Sequence, residues 1–267
     1  MKKISVLFFV LIFLTGCGQK ESEKVILCGT SVISSMVRDI TGDNNVKTLV
    51  PHLVCPGSYD LKPDDAKKII NSKILIIHPF QKYLLDKIIK INKNIRVIYV
   101  DLSDLNSPGG YINGLDEVEK FLMEIFPEKK QQYAMNKENT VSKIKQRITD
   151  DAMLVKTISN KNIKVIASSH QQGFCNYLGL KVVSVFSGPD SLKPKDLADI
   201  IKLAKKEKVQ LIISNLTGDD DTTADILNGE LKTKKLTFMY FPAEESQDSW
   251  FFNAYNYNLE QIKTVVK

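Results

Sequence analysis

From residue 24 onward the hydrophobic pattern switches repeatedly between two periods. Short, nearly continuous apolar runs read "KVILC", "VKTLV", "KILII" and "IRVIYV" in the first half, and "IKVIAS", "KVVSVF", "VQLIIS" and "LTFMY" in the second. Runs of this kind suit strands buried on both faces. Between them lie amphipathic stretches such as "SVISSMVRDITG", which predicts a helix with Ser31 as N-cap and Gly42 at its C-terminal end. Strands alternating with helices predict α/β layers with mostly parallel sheets, four strands to each half. The halves share one more signature. "LKPDDAKKII" from Leu61 and "LKPKDLADII" from Leu192 each place proline in the first turn of a helix with an aspartate beside it. Two similar lobes are the expectation.

Between the halves, "KKQQYAMNKENTVSKIKQRITDDAMLVKTIS" contains neither Pro nor Gly. Val141, Ile144, Ile148, Ala152, Val155 and Ile158 recur there at three- and four-residue steps, the mark of one long amphipathic helix. Some thirty helical residues measure about 45 Å, enough to join two lobes stiffly.

The amino terminus has a different pattern. "MKK" is a short basic segment, "ISVLFFVLIF" an apolar run too short to span a bilayer, and "LTGC" follows at once. This predicts a secretory signal over residues 1–16, cleaved before a lipid-modified Cys17, with the polar 17–24 as a tether. The expected organisation continues with a first lobe over 25–128, the linking helix over 129–158 and a second lobe over 159–267. The mature chain is then expected outside the cytoplasm, anchored to the membrane by lipid, and monomeric.

Composition changes this picture little. Of 267 residues 43% are hydrophobic and 25% charged, and the formal net charge is +6, which falls to +4 once Lys2 and Lys3 leave with the signal. The lysines are scattered over amphipathic segments, so nucleic-acid binding has no support. Beyond Cys17, three cysteines remain, Cys28, Cys55 and Cys175, which allows at most one internal disulfide. A nucleophilic pairing of Cys175 with His170 fares poorly. Five residues turn a helix by about 500°, setting the two side chains apart, and no recognisable Asn or Asp motif would orient the imidazole, so no enzyme is expected.

Two late segments allow two readings each. "DSWFFNAYNYNLEQI" holds the single Trp, and its aromatics either pack a final helix onto the second lobe or bring Trp250 or Phe251 into a ligand cleft. Asp219 to Asp221 in "TGDDDTTADIL" fit the cap and first turn of a helix, and no calcium-loop spacing follows them.

Taken together, "GTSVISSMVRDITGDNNVKTLVP", "PGSYDLKPDDAKKI", "SSHQQGF", "LKPKDLADIIKLAKKEKVQLII" and "YNYNLEQI" resemble, in order and spacing, the zinc/manganese-type (cluster A-I, TroA-like) substrate-binding lipoproteins of ABC transporters. The resemblance implies two (βα)4 lobes with parallel sheets joined by a long rigid linking helix. It also implies a transition metal ion carried as solute in the cleft between them, and an ABC permease with its ATPase as partners. The family holds its metal with His in Asp-Pro-His-x-Tyr, His in Asn/Asp-Pro-His, His in Ser-His-Asp and an acid in Asp-Pro-Leu. Here "CPGSY" puts Gly57 at the first His, two residues before Tyr59, and Cys55 at the Asp. "SPGGY" puts Gly109 at the second, "SHQQG" keeps His170, and "FPA" puts Phe241 at the acid.

One imidazole cannot hold Zn²⁺, which takes about four ligands, at least three of them from protein. Three outcomes follow. Cys28, Cys55 and Cys175 could join His170 in a Cys₃His site for zinc or a soft ion, with His52 and His78 nearby. Alternatively, the space left by Gly57 and Gly109, walled by Phe241, suits a larger organic or chelated solute. An adhesion or interaction lipoprotein that has lost metal binding is a third possibility.

Overall fold

The computed structural model describes residues 25–266 except 44, 53, 103, 217–219 and 241–249. Cys17 and Phe241 lie outside the described residues, as does the side chain of Trp250.

Two parallel four-stranded sheets are observed. The first half supplies β1 (Val25–Cys28), β2 (Lys47–Thr48), β3 (Ser72–Ile77) and β4 (Arg96–Tyr99), in the order β2-β1-β3-β4. The second repeats it with β5 (Lys164–Ser168), β6 (Lys181–Phe186), β7 (Leu211–Asn215) and β8 (Lys234–Phe238), in the order β6-β5-β7-β8. All six pairings are parallel, so helices must cross over each sheet and cover its faces. In the first half these are α1 (Ser31–Thr41), α2 (Pro63–Ile70), α3 (Leu85–Ile91) and α4 (Pro108–Ile125). In the second they are α6 (Gln172–Tyr177), α7 (Pro194–Glu207), α8 (Asp220–Leu231) and α9 (Trp250–Val266). The long helix α5 (Lys130–Asn160) runs between the two sets, as its unbroken amphipathic pattern predicts.

Local differences from the expected pattern have local causes. The N-cap of α1 is Thr30, whose hydroxyl accepts from the Ile33 N–H, and Ser31 is the first helical residue. Gly42 closes the helix in the left-handed conformation at φ 68°, with its N–H on the Arg38 carbonyl. Strand β8 ends at Phe238, two residues before the apolar run does. There the Asn258 side chain of α9 both accepts from the Met239 N–H (2.6 Å) and donates to the Met239 carbonyl (2.9 Å), which takes the next residue, Tyr240, out of the sheet.

The core is divided by sheet face. Leu27, Leu75 and Ile77 join an outer cluster of the first lobe, and Ile166 and Ile212 an outer cluster of the second. The inner faces share one cluster, which takes Ile26, Cys28 and Ile76 from one sheet and Val165, Ala167 and Ile213 from the other. Helices α1, α4, α5 and α9 fill the space between them.

Candidate ligand cleft

Parallel sheets place their binding loops beyond the carboxyl ends of the strands, at the point where strand order reverses. That point lies between β1 and β3 in one lobe and between β5 and β7 in the other, and a cleft of ≈ 360 Å³ opens there. The first lobe lines it with Cys55, Pro56 and Gly57 after β2, His78 and Phe80 after β3, and Leu102 after β4. The second contributes Ser169 and His170 after β5, and Ser187, Gly188, Asp190 and Ser191 after β6. Asn215 at the end of β7, Asp220 at the start of α8 and Tyr240 after β8 complete it.

His170 sits on a 3-10 turn, Ser169–Gln171, fixed from behind by Ser168. The Ser168 hydroxyl accepts from the His170 N–H (3.2 Å) and donates to Asp220 Oδ2 (2.5 Å). The same Asp220 oxygen stands 4.0 Å from His170 Nε2, too far for a hydrogen bond. The imidazole is half exposed and tilts against the Tyr240 ring, with centroids 5.3 Å apart.

His78 is placed differently. It is buried, its Nε2 meets Thr30 Oγ1 at 3.2 Å, and it hydrogen-bonds the Val100 backbone. Burial pushes its pKa down to about 4, against the opposing pull of that backbone bond and of the Asp101 charge, so the ring is neutral near pH 7. With Nε2 engaged by Thr30, His78 is a structural floor to the cleft. Phe80 stacks on it at 5.0 Å and 10° and reaches the cleft wall.

A buried polar chain crosses between the lobes beneath the site. Asn106 donates to Gln171 Oε1 (2.6 Å), and Gln171 donates onward to Asn215 Oδ1 (2.9 Å). It ties the residue next to His170 to the loop before α4 of the first lobe and to the end of β7 in the second.

Of the sequence-derived candidates, His170, Cys55 and Gly57 line the cleft. Gly57 does not have a positive φ, and a Cβ there would meet only Cys55 Sγ, at 3.8 Å. The Cys₃His set is not assembled. Cys28 lies fully buried on β1 facing the shared core, and Cys175 lies fully buried in α6, where burial pushes its thiol pKa up. None of the three cysteines forms a disulfide. Among the described residues, no three His, Cys, Asp or Glu side chains gather where they could hold a metal ion. Tyr59 is no cleft residue either: it packs in the outer core of the first lobe and donates to Asp65 Oδ2 at 2.6 Å. Gly109 is exposed in the first turn of α4 and does not contribute to the lining, although a side chain there would meet open space. Phe251 packs on Tyr111 of the first lobe, with centroids 4.7 Å apart, so it is a packing residue, but one seated against the first lobe where the second was expected.

Sequence reasoning missed Asp220 and Tyr240. Asp220 occupies the first turn of α8 as the acid run suggests, and also aims at His170. Tyr240 reads as the last residue of a strand and reaches the cleft because the strand stops early.

Comparison with known proteins agrees with this architecture. A manganese-bound periplasmic metal-binding protein from Candidatus Liberibacter asiaticus superposes with a TM-score of 0.74 at 17% identity, covering 92% of this chain and all of the other. The substrate-binding protein FpvC of Pseudomonas aeruginosa, in complex with Mn²⁺, gives 0.74 at 17% identity, covering 91% of this chain and 98% of that one. A Thermotoga maritima protein is 23% identical over 282 residues, with both chains aligned along their whole length, and its name assigns it metal binding provisionally. Among the described residues no helix is long and apolar enough to cross a membrane. The model of the family described as zinc-uptake complex component A, periplasmic (ZnuA), matches residues 26–265, and with nearly its whole length matched the chain belongs to this family of extracytoplasmic solute-binding proteins of ABC-type uptake systems.

Proposed function

We propose that this chain is the extracytoplasmic receptor of an ABC importer, tethered to the membrane by lipid on Cys17. It captures a metal-containing complex or other solute larger than a bare ion and delivers it to a permease and its ATPase. The observation that carries this reading is the donor set of the cleft. One half-exposed imidazole, His170, stands beside one buried carboxylate, Asp220, in ≈ 360 Å³ of space with glycine at position 57. A bare zinc or manganese ion would have to surrender its hydration to those two groups, and among the described residues no third His, Cys, Asp or Glu joins them to make up the three protein ligands such an ion needs. A complex that brings its own donors needs from the protein only shape and one or two polar contacts.

The test is native mass spectrometry with metal analysis on protein purified from the membrane fraction of its own host, alongside calorimetric titration with Zn²⁺ and Mn²⁺. Bound organic mass, with or without metal, and weak binding of the bare ions are expected. Tight binding of a bare ion with no organic mass would overturn the reading. In the same host Cys17→Ala should leave the membrane fraction, and its retention after a carbonate wash would remove the anchor.

A further inference from the structure

We propose that the cleft selects a positively charged organic group, either an organic cation or a complex of net positive charge, seated against aromatic faces over the buried carboxylate of Asp220. The proposal deepens the receptor reading and rests on it.

Charge provides the first argument. The chain as a whole carries +6, yet the described lining of the cleft includes Asp190 and Asp220 and neither lysine nor arginine. Two more carboxylates lie close enough to act on lining residues, Asp101 on His78 and Asp104 on Tyr240. The cleft thus opposes the sign of the molecule that contains it, which concentrates cations and repels anions. Asp220 is only 5% exposed, and its Oδ2 lies 4.0 Å from the His170 imidazole within the cleft. A buried carboxylate so placed gains from an arriving cation.

Ring geometry provides the second. Phe80 is 53% exposed although it belongs to the cleft wall, and it lies flat on the His78 ring, which fixes its plane. The Tyr240 ring lines the same cleft from the other lobe. Aromatic faces attract ammonium and other cationic groups, most strongly where water is excluded, and they suit alkylated or delocalised charge better than a hydrated metal ion. A cleft of ≈ 360 Å³ falls at the small end of the range for organic ligands, about 300–1,000 Å³.

The experiment is calorimetric titration of the mature protein with two matched pairs of probes. Choline is compared with its neutral isostere 3,3-dimethylbutan-1-ol, and the Zn²⁺ complex of 2,2′-bipyridine with free 2,2′-bipyridine. At least one cationic member should bind tenfold or more tightly than its neutral partner, and the pair that shows it separates a free organic cation from a cationic complex. Asp220→Asn keeps an acceptor for Ser168 and should abolish the preference. Phe80→Leu, at an exposed position, should weaken the cation several-fold where Phe80→Tyr does not. Parity within both pairs, no binding by any probe, or a preference that survives Asp220→Asn overturns the proposal. So does a neutral or anionic organic molecule found in the host-purified protein, a result that would leave the receptor reading standing.

Discussion

His78 is 4% exposed, and the cost of burying a charge holds its imidazole at about 4 where 6.5 is ordinary. Because the folded-state value is the lower one, the unfolded chain binds more protons between these two values. Stability is therefore complete above about pH 6.5 and is lost as the pH falls toward 4. At 1.36 kcal/mol per pH unit the gap corresponds to about 3 kcal/mol. Urea midpoints measured from pH 7 down to pH 4.5 should fall for the native protein, and the fall should be visibly shallower for His78→Gln. Parallel curves would show that the imidazole is already charged, and the Thr30 contact at 3.2 Å would then need another reading.

The element that presents His170 depends on a close approach between lobes. Asp104, in the left-handed region at φ 57°, accepts from the Ser107 hydroxyl at 2.7 Å and lies against Gly173 in α6. A Cβ on residue 173 would stand 1.4 Å from Asp104 Oδ1, so Gly173→Ala must turn that carboxylate away and break its bond. The expected cost is about 1–2 kcal/mol by denaturant titration. In an Asp104→Ala background the same substitution should cost much less, because the obstructing group is gone; equal costs in both backgrounds would show that Asp104 is not the obstruction. None of this was legible in the sequence, where Asp104 and Gly173 are loop and helix residues some seventy positions apart. What was legible followed from period and punctuation: eight apolar runs became eight strands, Gly42 closed α1, and an unbroken amphipathic stretch became α5. The cysteine site failed on side-chain direction. Alternation along β1 turns Leu27 to the outer core and Cys28 to the inner one, and neither face is the cleft. Asp220 failed for the opposite reason, since a first-turn acid explains itself as helix capping and gives no sign of what crosses in front of it.

At the scale of the molecule, the two sheets do not form two independent domains. Their outer faces have separate clusters, whereas their inner faces, α1, α4, α5 and α9 share one. Contacts across the lobes are specific as well as apolar: Asn106 to Gln171, and Tyr111 against Phe251. At the far side Arg147 and Asp151 of α5 hold Tyr255 of α9, with the guanidinium 5.7 Å from the ring centre and the phenol donating to Asp151 Oδ2 at 3.1 Å. Loss of either lobe would strip the shared cluster and expose the other lobe's inner sheet face to water, at about 25 cal/mol per Å² of apolar area. Lobes coupled in this way should unfold together and should not swing apart to admit a ligand. Differential scanning calorimetry of the mature chain should accordingly give one transition, with van 't Hoff and calorimetric enthalpies in agreement. Two resolved transitions would mean that the shared cluster does not couple the lobes, and would restore a hinge as the means by which this cleft opens.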